Sequence, residues 1–186
     1  MPTLRPYRNV DEKDVINRYS FSGTYPQDKG LLVKAVGSGW TADQDPTELL
    51  GSPGASFGNT VSQRYGVTAK CAIAGTGENV IGMTLWDLKE TDENGEQLKF
   101  NPRKAAEIEA CLSGNGVPMV RRGEFLYSGI TGSVTVGQKL YAGPDGVIES
   151  VAGNAHNSAI ADATEVGQAL GAKDSNGWTL IYLDIR

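Results

Sequence analysis

Histidine, cysteine and long apolar runs are the scarce materials of this 186-residue chain. One histidine, His156, and two cysteines, Cys71 and Cys111, are poor stock for a zinc site, which takes three or four His, Cys or acidic ligands. The cysteines stand 40 positions apart and form neither a zinc spacing nor a disulfide framework, so both are expected as free, buried thiols. Basic charge is also short. Seventeen Lys and Arg face 22 Asp and Glu, and the net charge of -5 lacks the electrostatic footprint of a nucleic-acid binder. No run approaches the roughly 18 apolar residues of a membrane span. The opening MPTLRPYRNVDEKD has no apolar signal core and no N-x-[ST] glycosylation acceptor occurs, so a soluble chain made in a cytoplasm is expected.

What is abundant is glycine, 24 residues, which favours many short strands over long helices. Residues 1–30 stand apart. Leu4, Tyr7, Val10, Val15, Ile16, Tyr19, Phe21 and Tyr25 follow no sustained period, and Pro2, Pro6 and Pro26 bias their neighbours to extended geometry. They read as an extended N-terminal arm that needs a surface to pack on, ahead of a β-rich body over 31–186.

In the body, Leu31–Val36 reads as a strand, and residues 39–65 as a long loop and candidate contact surface. Val67–Ile73 and Val80–Leu88 flank Gly75-Thr76-Gly77 and predict a hairpin, and Asn94-Gly95 predicts a type I′ turn. Asn101 as N-cap and Pro102 at the first position predict a helix over about 102–112, with Ala105, Ile108 and Leu112 facing the sheet beside Cys111. From Val117 onward, strands spaced by Gly123, Gly132, Pro144-Asp145-Gly146 and Asn176-Gly177 predict barrel-like hairpins over 117–186. The final strand carries Thr179, Ile181, Leu183 and Ile185 in one phase and Trp178, Leu180, Tyr182 and Asp184 in the other, so burial on both faces is expected, one against the core and one against a neighbour. The fold class is therefore mainly β: a small antiparallel β-barrel or sandwich with one short helix and an extended N-terminal arm. Val136-Gly137-Gln138-Lys139-Leu140-Tyr141-Ala142 is echoed by Val166-Gly167-Gln168-Ala169-Leu170-Gly171-Ala172, which predicts two similar hairpins.

The search for chemistry returns little. Gly54-Ala55-Ser56-Phe57-Gly58 matches a nucleophile elbow, and Asp145, Glu149 and His156 follow in triad order, but no strand precedes Ser56, no helix follows it, and no parallel sheet is in prospect. No catalytic, metal or cofactor-binding residues are expected. Asp92-Glu93-Asn94-Gly95 and Asp174-Ser175-Asn176-Gly177 resemble calcium-loop fragments but lack the remaining ligand positions, and they read as turns. Gly75-Thr76-Gly77 lacks the third glycine and the helix of a dinucleotide fingerprint. Arg121-Arg122, in a strand, would point to opposite faces.

The run VPMVRRGEFLYSGITGSVTVGQKLYAGPDGVIESVA, with TEVGQALGAKDSNGWTLIYLDI after it, resembles the small β-barrel capsid decoration, or cement, proteins of tailed bacteriophages across residues 117–186. The resemblance implies a homotrimeric structural protein on the virion capsid surface, made in the host bacterial cytoplasm, that reinforces contacts between subunits of the major capsid protein. No nucleic acid, membrane or cofactor is expected as a partner. The arm is then the expected capsid-binding element, through Leu4, Arg5, Tyr7, Arg8, Val10, Tyr19 and Phe21. Two other classes compete: a head-fibre, tail or baseplate adaptor, and a carbohydrate-binding β-module using Trp40, Trp86 and Trp178 as stacking platforms.

Overall fold

Alternation of side chains along short strands organises the chain into two stacked sheets with a separate core on each side of the second. The computed structural model describes residues 4–6, 15–37, 69–150 and 165–186. In chain order the strands are β1 (Leu4–Pro6), β2 (Val15–Ile16), β3 (Ser20–Phe21), β4 (Leu32–Val36), β5 (Lys70–Ile73), β6 (Gly82–Thr84) and β7 (Asp87–Leu88). After the helix α1 (Pro102–Glu107) come β8 (Ala110–Cys111), β9 (Met119–Val120), β10 (Arg122–Tyr127), β11 (Lys139–Ala142), β12 (Ile148–Ser150), β13 (Glu165–Ala169) and β14 (Thr179–Asp184).

The first sheet has the order β1-β10-β14-β13-β11-β12 and the second β2-β9-β6-β4-β5-β3, and β7 and β8 form a small parallel pair. The class is mainly β, as the glycine-punctuated strands imply. Neither sheet closes on itself, so the arrangement is a sandwich and the barrel alternative is set aside.

The main core lies between the sheets. Phe125, Tyr127, Leu140, Ile148, Ile181 and Leu183 enter from the first sheet and meet Leu32, Met83 and Val120 of the second. The next residues along the second sheet, Val33 and Met119, point the other way into a second core with Phe21, Cys71, Leu88, Cys111 and Val117. Period-2 geometry thus lets one sheet serve two cores. A third, small cluster of Leu98, Ala105 and Ala110 holds α1.

Several expectations change here. Val67–Ile73 and Val80–Leu88 do not form a hairpin with each other. β4 inserts between their strands, pairing Val33 with Ile73 on one side and with Gly82 on the other. The flanking amides of Ala74 and Ile81 continue the ladder, donating to the Leu32 and Val33 carbonyls at 2.9 and 2.8 Å. The helix is also shorter than 102–112. Asn101 Oδ1 does cap it, accepting from the Lys104 amide at 3.3 Å. It ends at Glu107 because Glu109 takes a left-handed φ of 51° and turns Ala110 and Cys111 into β8, opposite Asp87 and Leu88. Ala105 consequently packs on Leu98 and Ala110, while Cys111 joins the second core, so α1 does not lie on a main sheet.

The two V-G-Q copies open two hairpins, as expected: β11 pairs antiparallel with β12 and β13 with β14. They run side by side as β11 and β13, with Lys139 opposite Gln168 and Leu140 opposite Gly167. Their glycines do different work. Gly137 sits in the turn before β11 at φ 81°, whereas a Cβ on Gly167 would run into the Tyr182 carbonyl of the neighbouring strand. The Pro144-Asp145-Gly146 hairpin between β11 and β12 forms as expected, with Asp145 and Gly146 at φ 54° and 74°.

The described N-terminal residues are strands of both sheets. β1 pairs antiparallel with β10, β2 antiparallel with β9, and β3 parallel with β5. For these residues the expected packing surface of the extended segment is the body itself. The predicted loop 39–65 lies outside the described residues.

Candidate interaction surfaces

The residues expected to contact a capsid fall into three groups. Leu4 is 3% exposed in the main core and Phe21 is 4% exposed in the second. Phe21 meets Tyr25 edge-on, with ring centroids 5.4 Å apart. Tyr19 is half-buried against the same core, and its carbonyl accepts the Val117 amide at 2.8 Å. Leu4 and Phe21 are corrected as external anchors, because side chains that fill a core leave no surface for a partner. Arg5 stands in β1 opposite Leu126. Tyr7, Arg8 and Val10 lie outside the described residues, as do Ser56, His156 and Trp40.

Cys71 and Cys111 are free and buried, as expected. Burial pushes the Cys71 thiol up to about 12, with the neighbouring Cys111 adding to the effect, and burial alone raises Cys111 to about 11. Both are therefore held chiefly as thiols at neutral pH, the less nucleophilic form of cysteine.

The two Asp-x-Asn-Gly segments are turns of one design. Asp92 Oδ1 accepts the amides of Asn94 and Glu96, and Asp174 Oδ1 those of Asn176 and Trp178, all at 2.8 Å. In each, the glycine amide donates back to the aspartate carbonyl, at 3.1 Å for Gly95 and 3.0 Å for Gly177. The type I′ expectation at Asn94-Gly95 is corrected. That turn needs positive φ at both central residues, and here only Gly95, at 82°, has it. The aspartate carboxylate holds a three-residue loop with glycine in the left-handed position instead. Asp92 also pairs with Lys104, and this hydrogen bond, ahead of the two amides, holds its carboxyl below the usual range.

Arg121 precedes β10 with its Nε buried, while Arg122 begins the strand and is exposed. Arg122 Nε donates to Tyr182 Oη at 3.0 Å and lies 3.4 Å from Asp184, while the Arg121 carbonyl accepts the Ile185 amide at 2.9 Å.

Within the single chain, the final strand is buried on its inner face and half-buried on the outer face of the first sheet. Thr179, Ile181 and Leu183 are buried, whereas Leu180, Tyr182 and Asp184 are half-buried. Leu180 stands opposite Leu126 of β10, and Tyr182 stands between Glu124 of β10 and Gln168 of β13. Lys139 and Glu165 pair at 2.7 Å, Arg186 and Asp184 at 3.0 Å, and the Glu165 hydrogen bond raises the Lys139 ammonium. A cavity of about 220 Å³ at this end is lined by Glu165, Gly167, Asp184 and Arg186.

The sequence flagged this face through Leu180 in the second phase of the final strand, but not its continuation to Leu126, another large apolar residue in the outward phase of a strand whose inward phase is already apolar. Trp86 is exposed between β6 and β7, and Trp178 is half-buried beside Thr179.

No family model and no curated protein matches the chain.

Proposed function

We propose that the chain is a structural protein of a tailed-phage virion, bound as a homotrimer to the outer surface of the capsid, where it reinforces contacts between subunits of the major capsid protein. The observation that carries the reading is one of registration. Residues 117–186, which resemble the cement proteins, supply β10 to β14, five of the six strands of the first sheet, and give only the two-residue β9 to the second, so most of the resembling segment forms one sheet. β1 then attaches the N-terminal segment to the edge of that sheet through Leu4. In this reading Arg5, Tyr7, Arg8 and Val10 make the capsid contact, while Leu4, Tyr19 and Phe21 hold the segment to the body. The role is mechanical and needs no cofactor, nucleic acid or membrane. A large, many-subunit lattice offers the area needed to offset the ordering of a binding segment.

Cryo-electron microscopy of particles that copurify with the chain tests this. Density for the sandwich on the outer shell, over contacts between capsid subunits, is the expected result. Density confined to tails or baseplates would replace the reading with that of an adaptor.

A further inference from the structure

We infer that the outer face of the first sheet is the surface through which one copy of the chain meets a second copy; this rests on the oligomeric part of the reading above and gives it a location. The solvent side of an antiparallel sandwich is ordinarily polar. Here an apolar row crosses three adjacent strands. Leu126 of β10 stands directly opposite Leu180 of β14, and Leu170, just past β13, donates its amide to the Leu180 carbonyl at 2.8 Å. Val136 lies in the turn at the end of the row, where the next residue, Gly137, donates to the Ala169 carbonyl at 2.8 Å. Leu170 is 39% exposed and Val136 71%, so two of the four exposed large apolar side chains among the described residues share this corner. Exposed apolar groups that cluster mark interaction sites, whereas scattered ones need no explanation.

Charge selects the occupant. The charged residues in outward register on this sheet are Arg5, Arg122, Lys139 and Arg186 against Glu124, Glu149, Glu165 and Asp184, equal in number. Arg122, Lys139 and Arg186 each lie within 3.4 Å of an acid of the same face. The chain as a whole carries -5 and repels its own copies, so a locally neutral face is where two copies approach at least electrostatic cost. Matched ions around an apolar row complement the same face, or an adjoining part of it, on another copy. A polyanion or a charged lipid surface finds no net charge there to bind.

Sedimentation velocity of the full chain, with three variants, tests the inference. The parent is expected above the mass of one chain. Val136→Glu combined with Leu170→Glu, at exposed positions that leave the cores intact, is expected at the mass of one chain with an unchanged unfolding midpoint. Leu180→Ser is expected to behave likewise, and the exposed double variant decides if Leu180→Ser fails to fold. Phe100→Glu, 79% exposed on the excursion that carries α1, is expected to keep the parent's mass. A monomeric parent, or a folded double variant with the parent's mass, overturns the inference. Capsid pelleting separates this from the functional reading: an oligomer built on this face that binds no capsid would defeat that reading and leave the surface standing.

Discussion

The two sheets are built from chain in opposite ways. In the first, β10 to β14 come from one stretch, 122–184, and only β1 is brought from elsewhere. The second is stitched from pieces around residues 15–36, 70–84 and 119–120, and some of its strands are only two residues long. A sheet made from consecutive strands carries its own turn signals and alternation. A stitched sheet depends on contacts between residues far apart in sequence, and its short members carry no period of their own. Stability in the second sheet is therefore shared with the N-terminal residues, whereas the first sheet has most of its partners in its own segment.

The largest test of this contrast is removal of residues 2–20. It deletes β1, β2 and half of β3, and with them Leu4 of the main core, so loss of cooperative unfolding is expected rather than a folded, soluble body. Phe21→Ala grades the same idea. Truncating a buried phenylalanine costs about 3–5 kcal/mol, and Leu4→Ala about 2–5 kcal/mol, by the transfer and cavity terms. Urea unfolding measures both, and a loss under about 1 kcal/mol for either would place that side chain outside the core.

Next in size is Gly167→Ala in the first sheet. The added Cβ meets the backbone of Tyr182, which cannot rotate away, and φ of 159° borders the glycine region. A cost of about 1–3 kcal/mol is expected from this strain. Gly137→Ala meets only the end of the Gln168 side chain and pays chiefly for its positive φ of 81°, so it should cost less. Equal losses would contradict the different roles assigned to the two V-G-Q copies.

A smaller effect is expected at the Asp92 turn. Its carboxyl is held below the ordinary value by Lys104 and two amides, so its contribution is present above the unfolded-state pKa and is lost as pH falls through the folded value. Acid titration of stability should be shallower in Asp92→Asn than in the parent. Identical slopes would show that the carboxylate contributes nothing to the turn. The smallest change is Thr179→Val. Its hydroxyl is buried without a hydrogen-bond partner among the described residues, so stability should stay level or rise by up to about 1 kcal/mol.

The same contrast explains how far the sequence could be read. The mainly β class, the Pro144-Asp145-Gly146 hairpin, the Asn101 cap and the twin aspartate turns were legible because each depends on residues within a few positions. The insertion of β4 between β5 and β6 was not, since the Gly75-Thr76-Gly77 turn looks the same whether its flanks pair with each other or with a third strand. The end of α1 at Glu107 was hidden for a related reason: Ala110 and Cys111 suit a helix equally well, and the pairing with Asp87 and Leu88 decides the matter. Phe21 and Leu4 looked like free anchors because strands of two and three residues show no alternation. Of the candidate surface, Leu180 was visible as an apolar residue in the second phase of β14. Its alignment with Leu126 and Leu170 needed the register.

Native-state hydrogen exchange addresses the central claim, that the N-terminal strands are structural members of the body. The Ser20 and Ser22 amides donate to the Ala69 and Cys71 carbonyls at 2.9 Å, and the Ile185 amide at the end of the final strand donates to Arg121 at 2.9 Å. If the two regions unfold together, Ser20 and Ser22 exchange with protection close to that of β14. Exchange of Ser20 and Ser22 at the rate of an open chain, while β10 and β14 stay protected, would contradict the account.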